Sequence, residues 1–472
     1  MMTQTLGHTD AKALRIQRNV LYLLLALFLP LYLFALVPFV YGEEDIEAQV
    51  ETVQDTQDTK IETLKPVETL EDLPQTMQQD TGPEDIVPDD IDFKQTKRIF
   101  TPYYQFEFSE GMSVPSKGDF FANHMVDTKI GGQWRVSDRT ALFGLYNLSY
   151  EGPGLIRSEG RLFSERAIKH SFLIQPSIKL EPIGNIKAKV FSIVEKRRSG
   201  TNEVWGEGLY DYKALGIALT LDRKLLGLMF SPFIGYTDMD FPNYTDLLRE
   251  FETSGLTAEI AGGLMDQRII TAGFSIGKGK TRIGAGLTIQ DYQKEKVVGS
   301  GGTYENENQK DSTLDINANT ELVFLSRFLL FPRFSQSYNR SNQNYLRFAY
   351  FGDPAPAFVE KNYDYDETSL GGTLLFSLTR KPTKFLYTSS DWNWRKYSRR
   401  EPRDAEGVYA KSEHQKTLWA TTSFGYRWKS TAYTTWTLAY SFIFSSSNMK
   451  YESFIPYNYT GHMIGMYFSV TP

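Results

Sequence analysis

The sequence predicts an all-β fold of about 16 antiparallel strands, on three observations. The 472 residues are 14% aromatic, with 32 Phe and 28 Tyr beside 36 Gly and no Cys, a composition suited to pleated, twisted strands. From residue 94 onward, apolar and polar residues alternate with period 2, the spacing that gives a strand two chemically different faces. The segments joining these stretches are by turns short and long. With no Cys, disulfide scaffolds, cysteine nucleophiles and thiolate metal sites are excluded.

The chain opens with Lys12, Arg15 and Arg18, followed by an apolar run from Val20 to Tyr41 and an acidic run beginning at Glu43. This order predicts a signal peptide over 1–42, cleaved after Gly42. An uncleaved anchor is the alternative, because roughly 20 apolar residues suffice to span a bilayer. Residues 43–93 are rich in Glu, Asp, Thr, Gln and Pro and hold 17 acidic residues against Lys60 and Lys65. Such a composition buries too little apolar surface to offset chain entropy, and it predicts a disordered acidic linker, periplasmic once the signal peptide is removed. The linker carries -15 and residues 1–42 carry +2, so of the overall -6 the body from 94 to 472 holds +7. The mean hydropathy of -0.37, which reads as that of a soluble protein, therefore averages unlike parts.

Within the body, Leu314, Ile316, Ala318, Leu322 and Phe324 share one face opposite Asp315, Asn317, Asn319 and Glu321. Ile283, Ala285, Leu287 and Ile289 oppose Arg282, Gly284, Gly286 and Thr288. The same pattern sets Leu215, Ile217 and Leu219 against Gly216 and Ala218, Leu418 through Trp428 against Trp419 through Arg427, and Trp436, Leu438 and Tyr440 against Thr435, Thr437 and Ala439. Short joints are expected near 137–138, 182–185, 222–224, 278–279, 325–327, 381–383 and 429–431. Long polar loops are expected near 109–123, 151–166, 199–206, 239–266, 293–311, 342–362, 400–412 and 446–458. A soluble sandwich has no reason to place every long loop at one end. A sheet crossing lipid has one, because short turns on one side and longer loops on the other are the habit of membrane barrels, and closure leaves no backbone edge unpaired in lipid.

In Tyr459–Val470, Gly465 is followed by Met466 and Phe468. On this spacing and the alternating connections, the stretch 94–472 resembles the bacterial outer-membrane β-barrel (porin-like) family. The resemblance implies a transmembrane antiparallel β-barrel in the bacterial outer membrane, in contact with outer-membrane lipid. It also implies that Gly465, Met466 and Phe468 act as the signal read by the barrel-assembly machinery. Two features depart from the family pattern: Met463 stands where a polar residue is usual, and Ser469 to Pro472 follow the aromatic Phe468. Family members of this size are often trimers, which leaves a homo-oligomer open. Aromatic girdles outside such a barrel are expected from Tyr103, Tyr104, Tyr146, Tyr150, Tyr236, Trp392, Trp394, Tyr426, Trp428 and Tyr467.

A barrel of about 16 strands encloses an aqueous channel rather than a packed core, so the expected function is passive passage of small hydrophilic solutes. The expected pore-lining residues are Lys129, Arg135, Lys179, Arg282, Asp315, Asn317, Asn319, Glu321, Arg333, Arg395 and Arg427, and their basic excess predicts a weak anion bias. A constriction would come from the 239–266 loop, which holds the helix-capable stretch Asp246 to Phe251, or from the acidic linker. The competing function is a barrel that exports polysaccharide or anchors a periplasmic or cell-wall partner through that linker, although no helical repeat precedes the body. An enzyme is not expected: His124, His170, His414 and His462 fall near strand ends with no recognisable partner spacing, and HExxH, P-loop and GxSxG patterns are absent. No cofactor and no metal site is expected, and nucleic acid is not an expected partner, because the basic residues are spread through strands.

Overall fold

In a computed structural model of the chain, the described residues are 99–116, 121–153, 166–198, 204–245, 263–300, 303–324, 327–347, 357–379, 383–452 and 457–470. The expected signal peptide and linker, and the stretch Asp246 to Phe251, lie outside them. Strands account for the body and no helix occurs among the described residues. Up the first half run β1 (Phe100–Pro115), β2 (Phe121–Arg135), β3 (Thr140–Pro153), β4 (Arg166–Leu180), β5 (Gly184–Arg198), β6 (Tyr212–Leu225), β7 (Leu228–Asp240), β8 (Gln267–Lys278) and β9 (Thr281–Val298). The second half comprises β10 (Tyr304–Asn319), its short continuation β11 (Leu322–Phe324), β12 (Phe328–Ser341), β15 (Tyr365–Ser377), β16 (Lys384–Tyr397), β17 (Lys416–Lys429), β18 (Thr434–Ser447) and β19 (Tyr459–Val470). β13 (Tyr345–Arg347) and β14 (Ala357–Val359) pair only with each other, inside one long connection.

Each wall strand pairs antiparallel with the next, and β19 returns to pair with β1 from Phe106–Val470 through Pro115–Gly461. Because β10 and β11 occupy one position against β12, the wall is a closed barrel of 16 strands. Side-chain parity is conserved around the ring and meets itself in phase at the seam, where Phe106, Phe108 and Phe468 share a face. The outer face is apolar and open: Phe172, Ile174, Leu215, Ile217, Ile234, Ile270, Ile283, Leu314 and Leu370 are all exposed on it. Large apolar side chains left uncovered over such an area mark contact with another apolar phase.

Short connections follow β2, β4, β6, β8 and β17, each in or within a few residues of an expected joint. One two-residue turn is Leu226–Gly227, with φ of 51° and 83°, between the paired Leu225 and Leu228. Positive φ at both central residues is the hairpin turn whose twist matches its strands. β6 therefore continues beyond the expected turn at 222–224, and Gly227 marks the reversal. Two expected long loops are mostly strand. In place of 109–123, β1 extends to Pro115 and β2 begins at Phe121; β1 is the seam strand and pairs on both sides along this stretch. In place of 293–311, β9 runs to Val298 and β10 starts at Tyr304, with register shifts between Tyr304 and Lys310. Residues such as Lys294, Glu305 and Glu307 are polar on both faces because this hairpin need not present a lipid-facing stripe.

Outward aromatics gather at strand ends. Toward the short turns, Phe100 meets Trp134 with ring centroids 5.0 Å apart, Trp428 stacks on Trp436 at 6.2 Å, and Trp436 meets Phe468 at 4.5 Å. Toward the long connections Trp392 stacks on Trp394 at 6.2 Å, while Tyr146 meets Phe172 at 4.8 Å in mid-strand. Tyr104, Tyr150, Tyr236 and Tyr426 also have outward parity. Tyr103 and Tyr467 do not: they occupy odd positions on β1 and β19 and point inward, so the girdle expected from them is corrected. Each sits beside an outward aromatic, Tyr104 and Phe468, and only the register distinguishes the neighbours.

Placing Arg on the outer face at Ile217→Arg should cost about 2–4 kcal/mol, whereas the inward Thr421→Arg should cost under about 1 kcal/mol. Urea unfolding from lipid vesicles checks both, and equal costs would contradict the assigned faces.

Candidate functional site in the barrel lumen

The inner face divides into two sectors. On β3 to β6 it is closely packed: Phe143, Leu145, Leu173, Phe191, Ile193, Tyr212 and Ala214 form one buried cluster, with Tyr103, Met239 and Phe241 against it. Phe191 lies over Gly216, where a Cβ would strike its ring, so the aromatic lies along the wall. Above this cluster Glu195, only 3% exposed, accepts a hydrogen bond from the Tyr212 hydroxyl at 3.1 Å. Glu195 also pairs with Arg197 and lies 3.8 Å from Lys169. This apolar sector was not anticipated from the alternating pattern. Its signal is nonetheless present in the runs Ala141–Leu145 and Val190–Val194, which are apolar on both faces apart from Ser192 and read as strands covered on both faces.

From β9 to β17 the inner face is polar. Gly286, Asp315, Ser337, Glu367, Arg395 and Thr417 stand opposite one another in a single cross-strand row. Ser337 donates to Asp315. Arg395 donates to Glu367 from Nε at 2.7 Å and lies over the Tyr365 and Trp419 rings at 4.3 and 5.1 Å. Two inward rows away, Arg333 grips both carboxylate oxygens of Asp391 at 2.8 and 3.0 Å. The fork reaches across β15 because Gly371 lies between them; a Cβ there would fall on Asp391 Oδ1. Hydroxyl and amide pairs fill the intervals, including Thr373–Ser389 at 2.9 Å, Ser423–Ser441 at 2.7 Å and Ser369 to Asn393 at 2.5 Å.

Most of the sequence-derived pore candidates are on this inner face. Lys129 lies 3.3 Å from Asp127, Asn317 and Asn319 share the inward parity of Asp315, and Arg282 lies opposite Asn319. Arg427 donates from Nε to Thr437 Oγ1 at 3.3 Å and lies 5.6 Å from the Tyr387 ring. Arg135 and Lys179 have inward parity at the short-turn ends, where they pair with Asp138 and Glu181. Lys179, 2.8 Å from Glu181, holds that turn carboxyl below its usual range. Glu321 departs from the expectation. It lies in the break between β10 and β11 and pairs with Lys280 in the β8–β9 turn, because the strand is interrupted at Thr320. Gly465, Met466 and Phe468 all lie on β19 at the seam. Residues missed in the sequence include Glu367, Tyr365 and Trp419, whose importance depends on register with Arg395.

Three of the rim histidines occupy the outer face. His170 Nδ1 is 2.9 Å from the Tyr146 hydroxyl and His462 Nδ1 is 2.7 Å from that of Tyr440. His124 packs edge-on against Tyr150 at 5.4 Å, with Glu110 at 3.5 Å. His414 lies in the connection before β17. The four are spread around the ring.

An antiparallel sheet closed without an edge, even in strand number, apolar outside and hydrogen-bonded among polar groups inside has the form bacterial outer membranes accommodate. The chain has the fold of a bacterial outer-membrane β-barrel. No family model matches its sequence, and no curated protein matches it. Among solved structures, the chain is similar to OmpT, an outer membrane protein of Vibrio cholerae, at 10% identity and a TM-score of 0.42, covering 79% of this chain and 99% of that one. The anion-selective porin from Comamonas acidovorans is similar at 10% identity and 0.41, over 79% and 99%. A bacterial polysaccharide outer membrane secretin is similar at 7% and 0.39, over 78% and 98%. These distant likenesses transfer no substrate to this barrel.

The Arg333–Asp391 fork depends on the missing side chain at position 371. Gly371→Ala should cost about 1 kcal/mol, the scale of a half-exposed ion pair, and close to nothing in an Asp391→Ala background. A double-mutant cycle in vesicle unfolding reads the coupling, and additive costs would contradict the arrangement.

Proposed function

We propose that this outer-membrane barrel is a passive channel for small hydrophilic solutes, with a weak anion bias. The observation that carries the proposal is the continuous polar row from Asp315 to Thr417 on the inner face. Its charges are matched within the wall, so each helps keep water at the surface without offering an unmatched binding group. A solute passing such a wall exchanges bulk water for wall-bound water and meets no deep well, as rapid exit requires. A closed wall of 16 strands has the circumference for an aqueous lumen rather than a filled core.

The anion bias rests on Arg427. Most inner-face cations named above have an acidic neighbour; Arg427 instead contacts Thr437 and Tyr387, both neutral. A cation beside neutral partners keeps more of its field in the lumen than one held in a fork. Transport of this kind requires no catalytic group, and the outward placement of His124, His170 and His462 is consistent with that reading.

In a planar bilayer under a salt gradient, the reversal potential should show anions favoured by a few-fold at most, and Arg427→Glu should move it toward cations. Clear cation selectivity of the unaltered barrel, or an unchanged potential in the variant, would contradict the assignment. Liposomes carrying the barrel should swell in neutral sugars at rates that fall with sugar size.

A further inference from the structure

The long-connection ends of β9, β10 and β12 border a cleft that the channel reading does not use. One wall is the β13–β14 hairpin, which contributes Phe358 and, just beyond it, Glu360 and Lys361. The other is the barrel, which contributes Ile289, Lys310, Ser312 and Arg340. Ser312 stands opposite both Ile289 and Arg340 and shares the parity of the exposed Leu314 and Ile316. This wall is therefore the outer face, and the cleft lies outside the lumen. Its volume of 740 Å³ falls in the range of about 300–1,000 Å³ that small-ligand sites occupy. Amide side chains set the frame. Asn342 accepts from Lys310 N at 2.7 Å and donates to Glu307 Oε1 at 3.1 Å, and the buried Gln343 accepts from Val298 N at 2.9 Å and donates to Lys296 O at 3.1 Å. Lys361 is held at φ of 58°, a left-handed backbone that a residue with a Cβ keeps only where its surroundings impose it.

Within this frame the polar capacity is unspent. Among the described residues, the side chains of Lys310, Lys361, Glu305 and Glu360 make no hydrogen bond and no ion pair, although all four line the cleft. Three cations, Lys310, Arg340 and Lys361, face three carboxylates, Glu305, Glu307 and Glu360, so the lining has no net charge to draw in an anion or a metal cation. Such a lining suits hydroxyl groups, each of which accepts from an ammonium and donates to a carboxylate. Phe358, 36% exposed, adds a ring on which an apolar C–H face can rest. Directly below, Leu314 and Leu287 stand opposite each other on the same face and are both exposed. The cleft thus opens where the apolar band ends, on the long-connection side, which in such barrels is external.

We propose that the cleft between the β13–β14 hairpin and the outer face of β9, β10 and β12 binds neutral saccharide units, as carried by an outer-leaflet glycolipid. One sugar face lies on Phe358, and the hydroxyl groups at its edge span Lys310 and Lys361 on one side and Glu305 and Glu360 on the other. The acyl chains of the same molecule lie below, along Leu287, Leu314 and Ile316. Uncharged hydroxyls answer both signs of the lining at once, which neither a phosphate nor a metal ion does.

The test uses the full-length barrel purified in detergent, with native mass spectrometry reading occupancy by three probes: lipopolysaccharide bearing its core hexoses, deep-rough lipopolysaccharide with the same lipid A and no core hexoses, and the free core oligosaccharide. The hexose-bearing lipid should bind about tenfold more tightly than the deep-rough one, and that gain should survive about 0.5 M salt, which screens exposed charge pairs. Phe358→Ala and Glu360→Gln should each remove most of the gain and leave deep-rough binding unchanged. Both positions lie in the connection between β12 and β15, outside the wall, and heat-modified gel mobility reports that the variants are folded. The free oligosaccharide distinguishes the sources: weaker binding than the hexose-bearing lipid assigns the cleft to a glycolipid, and equal binding assigns it to soluble sugar, with the saccharide chemistry upheld in both cases. Equal binding of the two lipids, a gain abolished by salt, or a gain untouched by both variants would each overturn the proposal.

Discussion

The pairing of β1 with β19 is the constraint on which the rest of this barrel depends. From Phe106–Val470 to Pro115–Gly461 it joins the first wall strand to the last, leaving no free row of amide and carbonyl groups among the wall strands. In lipid an unpaired backbone group costs several kcal/mol and water cannot relieve it. Closure fixes the parity of every strand at once, since a slip of one residue at any pair would turn the aromatics of one strand inward and its charges outward. The exposed Leu215 and Ile217, unusual on a water-soluble surface, and the hydrogen-bonded Arg333 and Asp391 are two faces of the same closed ladder.

Parity explains what could be read from the sequence and what could not. The stretches Arg282–Ile289 of β9 and Leu314–Asn319 of β10, with β17 and β18, alternate, and their inward and outward residues follow from position. The Leu226–Gly227 turn was visible as a tight joint, though displaced by a few residues, because Gly tolerates the backbone conformation wherever it falls. By contrast, Tyr103 and Tyr104 are chemically equivalent neighbours, and no local property separates girdle from lumen. The 116–120 and 299–303 connections were misread as longer loops, since strands projecting beyond lipid lose the apolar stripe that identifies a spanning strand. Side-chain partners were the least legible. Glu367 meets Arg395, and Gly371 admits the Arg333–Asp391 fork, through register across connections that carry no pattern of their own.

The inner wall is chemically uneven, and the unevenness has a structural logic. On β3 to β6 the apolar cluster around Leu173 and Phe191 packs the inner face as a soluble core would, and the buried Glu195 is held by Tyr212 and Arg197. On β9 to β17 small and hydroxylated residues lie between paired charges, and rings such as that of Tyr387 lie over glycine, here Gly425. The first sector supplies packing stiffness and the second a hydrated surface. A barrel polar around its whole circumference would have only the backbone ladder to resist flattening.

The central claim is that odd-numbered positions of β17 face water inside the barrel while even-numbered ones face lipid. Because the chain has no Cys, single substitutions Thr421→Cys and Thr422→Cys supply clean reporters. In vesicles, a membrane-impermeant thiol reagent should modify position 421 rapidly and position 422 at least about tenfold more slowly, while a quencher dissolved in the acyl region should reach only a probe at 422. Rapid aqueous labelling at 422 with protection at 421 would contradict the assignment of faces, and protection of both would contradict a water-filled lumen.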